Sequence, residues 1–244
     1  MKLNEKQLQD FQKKFGVILN ERDIITDQDT IAPHLVDWVG NISGSSALML
    51  TPRNSEQVSK ILRLCNEETI AVVPQGGNTG SVASGIPNGE IILSLEKMSN
   101  IISIIPEDYS ITVESGCILS QVQDAAHEAS RFFPLSIGSE GSCTIGGNIS
   151  TNAGGISVLK YGNMRDLVLG LEVVLADGRI MNNLKRLRKD NSGYATKHMF
   201  MGAEGTLGVI TAACLRLFPK IENKVTAFAS LSNLDATIQL LETL

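Results

Sequence analysis

Between residues 138 and 155 the chain reads Gly-Ser-Glu-Gly-Ser-Cys-Thr-Ile-Gly-Gly-Asn-Ile-Ser-Thr-Asn-Ala-Gly-Gly, and six of those eighteen residues are glycine. Small and polar side chains leave the backbone bare, so consecutive N–H groups in turn conformations can cradle an anion without a lysine or arginine. A second segment, Pro74-Gln75-Gly76-Gly77-Asn78-Thr79-Gly80-Ser81, repeats that chemistry directly after the apolar run Ala71-Val72-Val73. Two such loops, each next to a predicted strand, suit a ligand with more than one phosphate. The familiar nucleotide signatures are missing. No two glycines stand two residues apart, which excludes G-x-G-x-x-G, and no glycine is followed at the P-loop spacing by Gly-Lys.

The elements that must carry these loops can be read from periodicity. Leu8, Phe11 and Phe15 outline an amphipathic helix over Asn4 to Phe15. Ala47 to Leu50 reads as a strand, and Asn54 or Ser55 caps a helix whose buried face is Val58, Ile61, Leu62 and Cys65. Ala71 to Val73 then delivers the first loop. Further strands are expected at Ile91 to Leu95 and Ser110 to Glu114, followed by a helix from Ile118 to Ala129 that Pro134 stops. After the central loop, Leu167 to Ala176 is an apolar strand turned back at Asp177-Gly178 onto Arg179 to Met181, and Leu207 to Leu217 is another long strand. Val225 to Leu231 reads as a strand, with Asn233 capping a helix along Leu234, Ile238, Leu241 and Leu244. Trp38, the only tryptophan, is expected to be buried in packing.

Bulk numbers exclude several classes. The chain has 244 residues, 43% apolar and 19% charged, which is ordinary globular composition with ample core. A net charge of −5 argues against a nucleic-acid surface. Cys65, Cys117, Cys143 and Cys214 form no CxxC pair, and His34, His127 and His198 are scattered, so no metal site is expected. No long apolar run suggests a transmembrane segment or secretion signal, and the default expectation is a cytoplasmic protein.

Taken together, Pro74 to Ser81, Pro134 to Gly155, Tyr161-Gly162, Val168 to Gly178, Leu187 to Tyr194 and Gly202 to Thr211 resemble the FAD-binding domain of the vanillyl-alcohol-oxidase-type flavoproteins. Within that superfamily they are most similar to the D-2-hydroxyacid dehydrogenases, namely D-2-hydroxyglutarate dehydrogenase, D-lactate dehydrogenase and the flavin subunit of glycolate oxidase. The resemblance covers roughly Asp37 to Lys220. It implies an α+β fold of two packed lobes with FAD in the cleft between them. The domains would be an N-terminal helix and lead-in (1–46), the FAD-binding domain (47–220) and the start of a truncated substrate or cap domain (221–244).

The site expectations follow. Gln75, Gly76, Gly77, Asn78, Thr79, Gly80 and Ser81 would bind the cofactor, the N–H groups from Gly76 to Gly80 and the Thr79 and Ser81 hydroxyls holding pyrophosphate oxygens. Gly138, Ser142, Ile145, Gly146 and Gly147 would run along the pyrophosphate and ribityl chain, with Thr151, Asn152, Gly154 and Gly155 reaching toward the isoalloxazine or the pyrophosphate. Glu204, Val209 and Ile210 belong to the segment that resembles the one passing adenine and ribose. Some relatives tether FAD through a histidine after the first Gly-Gly; Asn78 stands there and cannot form that bond, so FAD would be non-covalent.

The resemblance further implies oxidation of a D-2-hydroxy acid (D-lactate, glycolate or D-2-hydroxyglutarate class) to the 2-oxo acid. Its electron acceptor would be a quinone, an electron-transfer flavoprotein or similar, and a homodimer or partner subunit is possible. No catalytic residue is assigned, because in the resembled family the acid–base and metal groups lie in the C-terminal domain. Arg188, Lys189, Asp190 and Asn191 are the nearest candidates for a flavin-edge role, although a solvated charge cluster is the stronger reading of them. The rival reading is a non-catalytic FAD-binding module or subunit. A short C-terminal segment agrees either with a fragment or with a partner that supplies the rest.

Overall fold

The computed structural model describes residues 5–243. Asn4 and Leu244, which periodicity assigns to the two terminal helices, lie outside the described residues. Two sheets organise the chain. The first contains β1 (Ile24–Ile25), β2 (Met49–Leu50), β3 (Val72–Gln75) and β4 (Ile91–Ser94) in the order β1-β2-β4-β3. Both β2 and β3 run parallel to β4, so the connection between them has to cross over, and a helix makes it.

That helix, Ser55–Glu67, follows α1 (Glu5–Phe15) and is α2. Asn54 is extended and its side chain accepts the Gln57 N–H at 2.9 Å, satisfying one of the orphan donors of the first turn. Val58, Ile61, Leu62 and Cys65 are buried on one face, and Thr69 leaves the helix with φ +57°. They pack with Leu48, Leu50, Ile91 and Leu93 of the sheet and with Phe11, Phe15 and Leu19 from the N-terminal segment. At the rim of this core Asp23 is fully buried, receiving Arg53 Nε at 3.0 Å, Arg53 NH2 at 2.9 Å and Lys97 Nζ at 2.8 Å.

The second sheet is antiparallel and contains β5 (Ile101–Ile105), β6 (Ser110–Glu114), β8 (Val168–Val174), β9 (Ile180–Asn183) and β10 (Val209–Arg216), in the order β5-β6-β10-β8-β9. A short ribbon pairs β7 (Arg131–Phe132) with β11 (Phe218–Pro219). The β8–β9 hairpin turns at Asp177-Gly178 as expected, with Gly178 at φ +83° and the Asp177 carboxylate accepting the Arg179 N–H. Central β10 is buried along nearly its whole length, and its core also holds the helix α3 (Leu119–Glu128) through Leu119, Val122 and Ala126.

The lobes are joined by packing and by hydrogen bonds. Val174 and Val209 of the second sheet belong to the core of the first, and from α2 Ser55 donates to the Glu172 carboxylate and Ser59 to the Gly178 carbonyl.

Four expectations fail. α3 ends at Glu128, with Ser130 in the left-handed region at φ +56°, so Pro134 does not stop it; a ribbon strand lies between. The central Gly-rich stretch is not all loop, because Ile145–Ser150 forms the short helix α4. Val225 to Leu231 is not a strand. It has no partner ladder among the described residues, and Val225 and Phe228 are exposed, before Asn233 caps α5 (Leu234–Thr243) as expected.

Trp38 is the fourth correction: it is 71% exposed rather than buried. The chain reverses from Asp37 to Ile42, with Asp37 N–H donating to the Ile42 carbonyl, the buried Asp37 carboxylate accepting the Ile42 N–H at 2.6 Å, and Gly40 at φ +80°. That turn turns Asp37 inward and leaves the indole at the tip. As the only tryptophan, it should give the red-shifted emission of a solvated indole and be quenched readily by iodide; a blue-shifted, protected emission would contradict the turn.

Candidate cofactor site

Strand β3 ends in the first Gly-rich loop, and the loop lies against the second. A Cβ added to Gly77 would stand 2.0 Å from the Ser142 carbonyl oxygen, and one on Gly76 would stand 2.2 Å from Thr144 Oγ1. Gly155 is equally constrained, its added Cβ falling 1.7 Å from Ser136 O. These glycines allow one stretch of backbone to touch another. Gly80 and Gly138, by contrast, have open space around them.

Between the two loops and the start of β10 lies a cavity of about 450 Å³, lined by every residue from Pro74 to Gly85, by part of the second loop and α4 (among them Ile137, Thr144, Gly146, Gly147, Thr151 and Gly154), and by Leu95, Ser115, Glu204, Gly205 and Gly208 to Ile210. It is large enough for a substantial part of a dinucleotide. Among the described residues its lining contains no lysine, arginine or histidine, and Glu204 is its only charged residue.

The first loop is fixed from outside by the lead-in segment. Buried Gln75 donates through Nε2 to the carbonyls of His34 and Gly85, each at 2.9 Å. Its Oε1 therefore accepts from His34 Nδ1 at 2.5 Å, which requires the proton on that ring nitrogen. Asn78 adopts φ +49° and spends its side-chain amide on the Val36 carbonyl at 2.8 Å. With the side chains tied back, the N–H groups from Gly76 to Ser81 donate to no protein acceptor among the described residues. A run of unpaired amides facing a cation-free cavity is an anion cradle.

The second loop contributes differently. Thr144 caps α4, its hydroxyl accepting the Gly147 N–H, while the Ile145 N–H donates to Cys117 O at 2.9 Å and the Gly146 N–H to Ser115 O at 2.7 Å. The first-turn amides of this helix are already used within the protein. Nearby, Asn152 (φ +50°) accepts the Arg165 N–H, and Glu204 (φ +50°) donates its N–H to Ser150 O. Left-handed residues other than glycine cluster where surrounding contacts hold them.

Of the residues expected to bind the cofactor, Gln75 to Ser81, Gly146, Gly147, Thr151, Gly154, Glu204, Val209 and Ile210 line the cavity. Gly138, Ser142, Ile145, Asn152 and Gly155 do not; Ile145 is a core side chain, and Ser142 and Gly155 meet neighbouring backbone. Sequence reasoning missed Leu95, Ser115, Ile137, Thr144 and Asn148 in the wall, and Ser115, at the end of an ordinary strand, carried no signal. Arg188, Lys189, Asp190 and Asn191 are exposed and outside the cavity: Arg188 lies 5.5 Å from the Tyr109 ring centroid and Asp190 pairs with Lys185 at 2.6 Å. Burial pushes the Cys65 and Cys117 thiols up to about 12, so neither is a nucleophile near neutral pH.

Two joined lobes enclose a cleft whose first loop presents unpaired amides, an arrangement suited to a phosphate-bearing ligand. The family described as "FAD binding domain" matches residues 46–183, and the chain belongs to it. FAD is accordingly the cofactor of this fold, and the orphaned Ser115 hydroxyl and the free amides of the cleft fit a polar ligand there. Among curated proteins, the chain is 47% identical over 220 residues to D-2-hydroxyglutarate dehydrogenase, mitochondrial, of Danio rerio, covering 90% of this chain and 41% of that protein. It is 44% identical over 217 residues to the probable D-2-hydroxyglutarate dehydrogenase, mitochondrial, of Oryza sativa subsp. indica, covering 88% and 39%. The solved structure of alkyldihydroxyacetonephosphate synthase superposes with a TM-score of 0.76 at 19% identity, over 86% of this chain and 44% of that one. The chain thus spans about two fifths of the length of the curated relatives.

The cytoplasmic expectation does not stand, since these relatives are mitochondrial by name. An apolar leader marks secretion, whereas mitochondrial transit peptides are amphipathic and Arg-rich, so the missing apolar run never bore on that compartment. Among the described residues no helix is long and apolar enough to cross a membrane, and no three His, Cys, Asp or Glu side chains gather as a metal site.

Proposed function

We propose that this chain is the flavin-binding part of an FAD-dependent dehydrogenase that oxidises a D-2-hydroxy acid to the 2-oxo acid, with D-2-hydroxyglutarate first among the candidate substrates and D-lactate next. The observation that carries the reading is the 44–47% identity to D-2-hydroxyglutarate dehydrogenases across about nine tenths of this chain, motif loops included. FAD, when bound, supplies the two-electron acceptor for such an oxidation. The residues here bind and orient it. In this reading the amides of Gly76 to Ser81 hold the diphosphate, Gly146, Gly147, Thr151 and Gly154 form the facing wall, and Glu204, Val209 and Ile210 close the β10 side. The FAD-binding domain would be residues 47–220, with 221–244 leading toward substrate-binding structure.

Among the described residues the lining offers no cation for a substrate carboxylate, and Glu204 is its only charged side chain. That favours the second reading for the chain by itself: a cofactor-binding module whose acid–base groups, electron acceptor and subunit partner are supplied elsewhere. A steady-state assay of the purified chain with D-2-hydroxyglutarate, D-lactate and an artificial acceptor separates the two. FAD binding without turnover supports the module, and turnover at enzyme-like rates supports a self-sufficient enzyme. Absence of FAD binding by folded protein defeats both.

Asn78 bears on how the cofactor is held. Its amide carries no nucleophile for a flavin bond and is engaged by Val36 O. Precipitating the holoprotein in trichloroacetic acid should leave the yellow colour in solution; a yellow pellet would contradict non-covalent binding.

A further inference from the structure

Ser115 is the one residue lining the cavity whose side-chain oxygen is buried and has no hydrogen-bond partner among the described residues; its residue exposure is 1%. The main chain around it cannot shift to find one. Its N–H donates to Thr211 O at 2.9 Å and its carbonyl accepts the Gly146 N–H at 2.7 Å, so Ser115 is pinned to β10 on one side and to α4 on the other. A Cβ on Gly146 would come within 2.7 Å of Ser115 Cβ, so the helix start is also packed onto the serine itself. A buried hydroxyl left without a partner is a cost to the fold, and native structures satisfy such groups with protein, water or ligand.

We propose that the Ser115 hydroxyl is a cofactor-anchoring group that hydrogen-bonds an uncharged oxygen or nitrogen of FAD. The inference rests on the FAD reading above. The partner is uncharged because Leu95, Cys143, Val209 and Ile210 share the same wall and no cation lines the cavity; an unpaired diphosphate would be poorly solvated at so buried a point. The diphosphate belongs at the unpaired amides from Gly76 to Ser81, which are half-buried to exposed.

The test compares wild type with Ser115→Ala. Diluting the holoproteins and following the fluorescence of released FAD gives each dissociation constant, and melting protein dialysed free of FAD gives stability without the cofactor. Ser115→Ala should weaken FAD about tenfold, while the cofactor-free melting temperature stays level or rises because an unsatisfied hydroxyl has been removed. Equal affinities overturn the proposal, and so does a loss of affinity accompanied by a fall in cofactor-free stability, which makes Ser115 structural. A loss of roughly 100-fold, the size expected when a hydrogen bond to a charged group is removed, places the hydroxyl at the diphosphate and overturns the uncharged assignment. Should Ser115→Ala fail to fold, Ser115→Cys, close in size and a weaker donor, provides the same comparison. Wild type that binds no FAD would end the flavin reading itself, whereas wild type that binds and a variant that binds equally would end only this one.

Discussion

Gly77→Ala should lose FAD binding by roughly 100-fold or more, the equivalent of about 2.7 kcal/mol, and lower the stability of the fold by about 1–3 kcal/mol. The new methyl group would stand 2.0 Å from the Ser142 carbonyl oxygen, which is main chain, so no side-chain rotation relieves it. The two loops must separate, and the wall on each side of the cavity moves with them. Gly80→Ala is the matched control: nothing lies within 4 Å of its added Cβ, and its φ is outside the left-handed region. Its stability should stay within about 0.5 kcal/mol of wild type. Flavin titration and thermal melts of the two variants decide the matter, and a Gly77→Ala protein that binds FAD and melts like wild type would show that the loops do not touch as described.

Asp23→Ala should destabilise the protein by about 3 kcal/mol, at the lower end of the range for breaking a buried ion pair because Arg53 and Lys97 both reach solvent. Burial pushes the Asp23 carboxyl up, but hydrogen bonds from Arg53, Lys97 and Asn20 outweigh it and hold the group below the usual carboxylate range. A depressed folded value means that the unfolded chain takes up the proton first. The contribution of Asp23 is therefore complete above the unfolded value of about 3.9 and is lost as pH falls below it toward the folded value. Urea midpoints measured between about pH 6 and pH 3 should fall more steeply at the acid end for wild type than for Asp23→Asn. Parallel curves would remove Asp23 from the acid response.

What the sequence made legible is what local chemistry determines. Asn54 before an i, i+3, i+4, i+7 apolar face became a capped helix, and Asp177-Gly178 between two apolar runs became a hairpin. The site was legible as two glycine-rich loops for a similar reason, since bare backbone is visible in residue type. The purpose of each glycine was not. Gly77 next to Ser142 and Gly80 in the open look alike in sequence, because the neighbour that distinguishes them is more than sixty positions away in the chain. The same limit hid α4, whose glycines permit close packing on Ser115, and Trp38, whose fate depends on which side of a turn the Asp37 carboxylate occupies. Val225 to Leu231 failed because alternation describes a strand's faces and says nothing about whether a neighbour exists to complete the ladder.

The walls of the cavity are drawn from residues 74–85, from Leu95 and Ser115, from parts of the stretch between Ile137 and Gly154, and from Glu204, Gly205 and Gly208 to Ile210. During synthesis the amide cradle emerges first, yet its opposite wall is still unwritten until β10 has left the ribosome. Cofactor loading must therefore be a late event, and nascent chains arrested before residue 210 should leave the loop amides solvated and the flavin free in the cell.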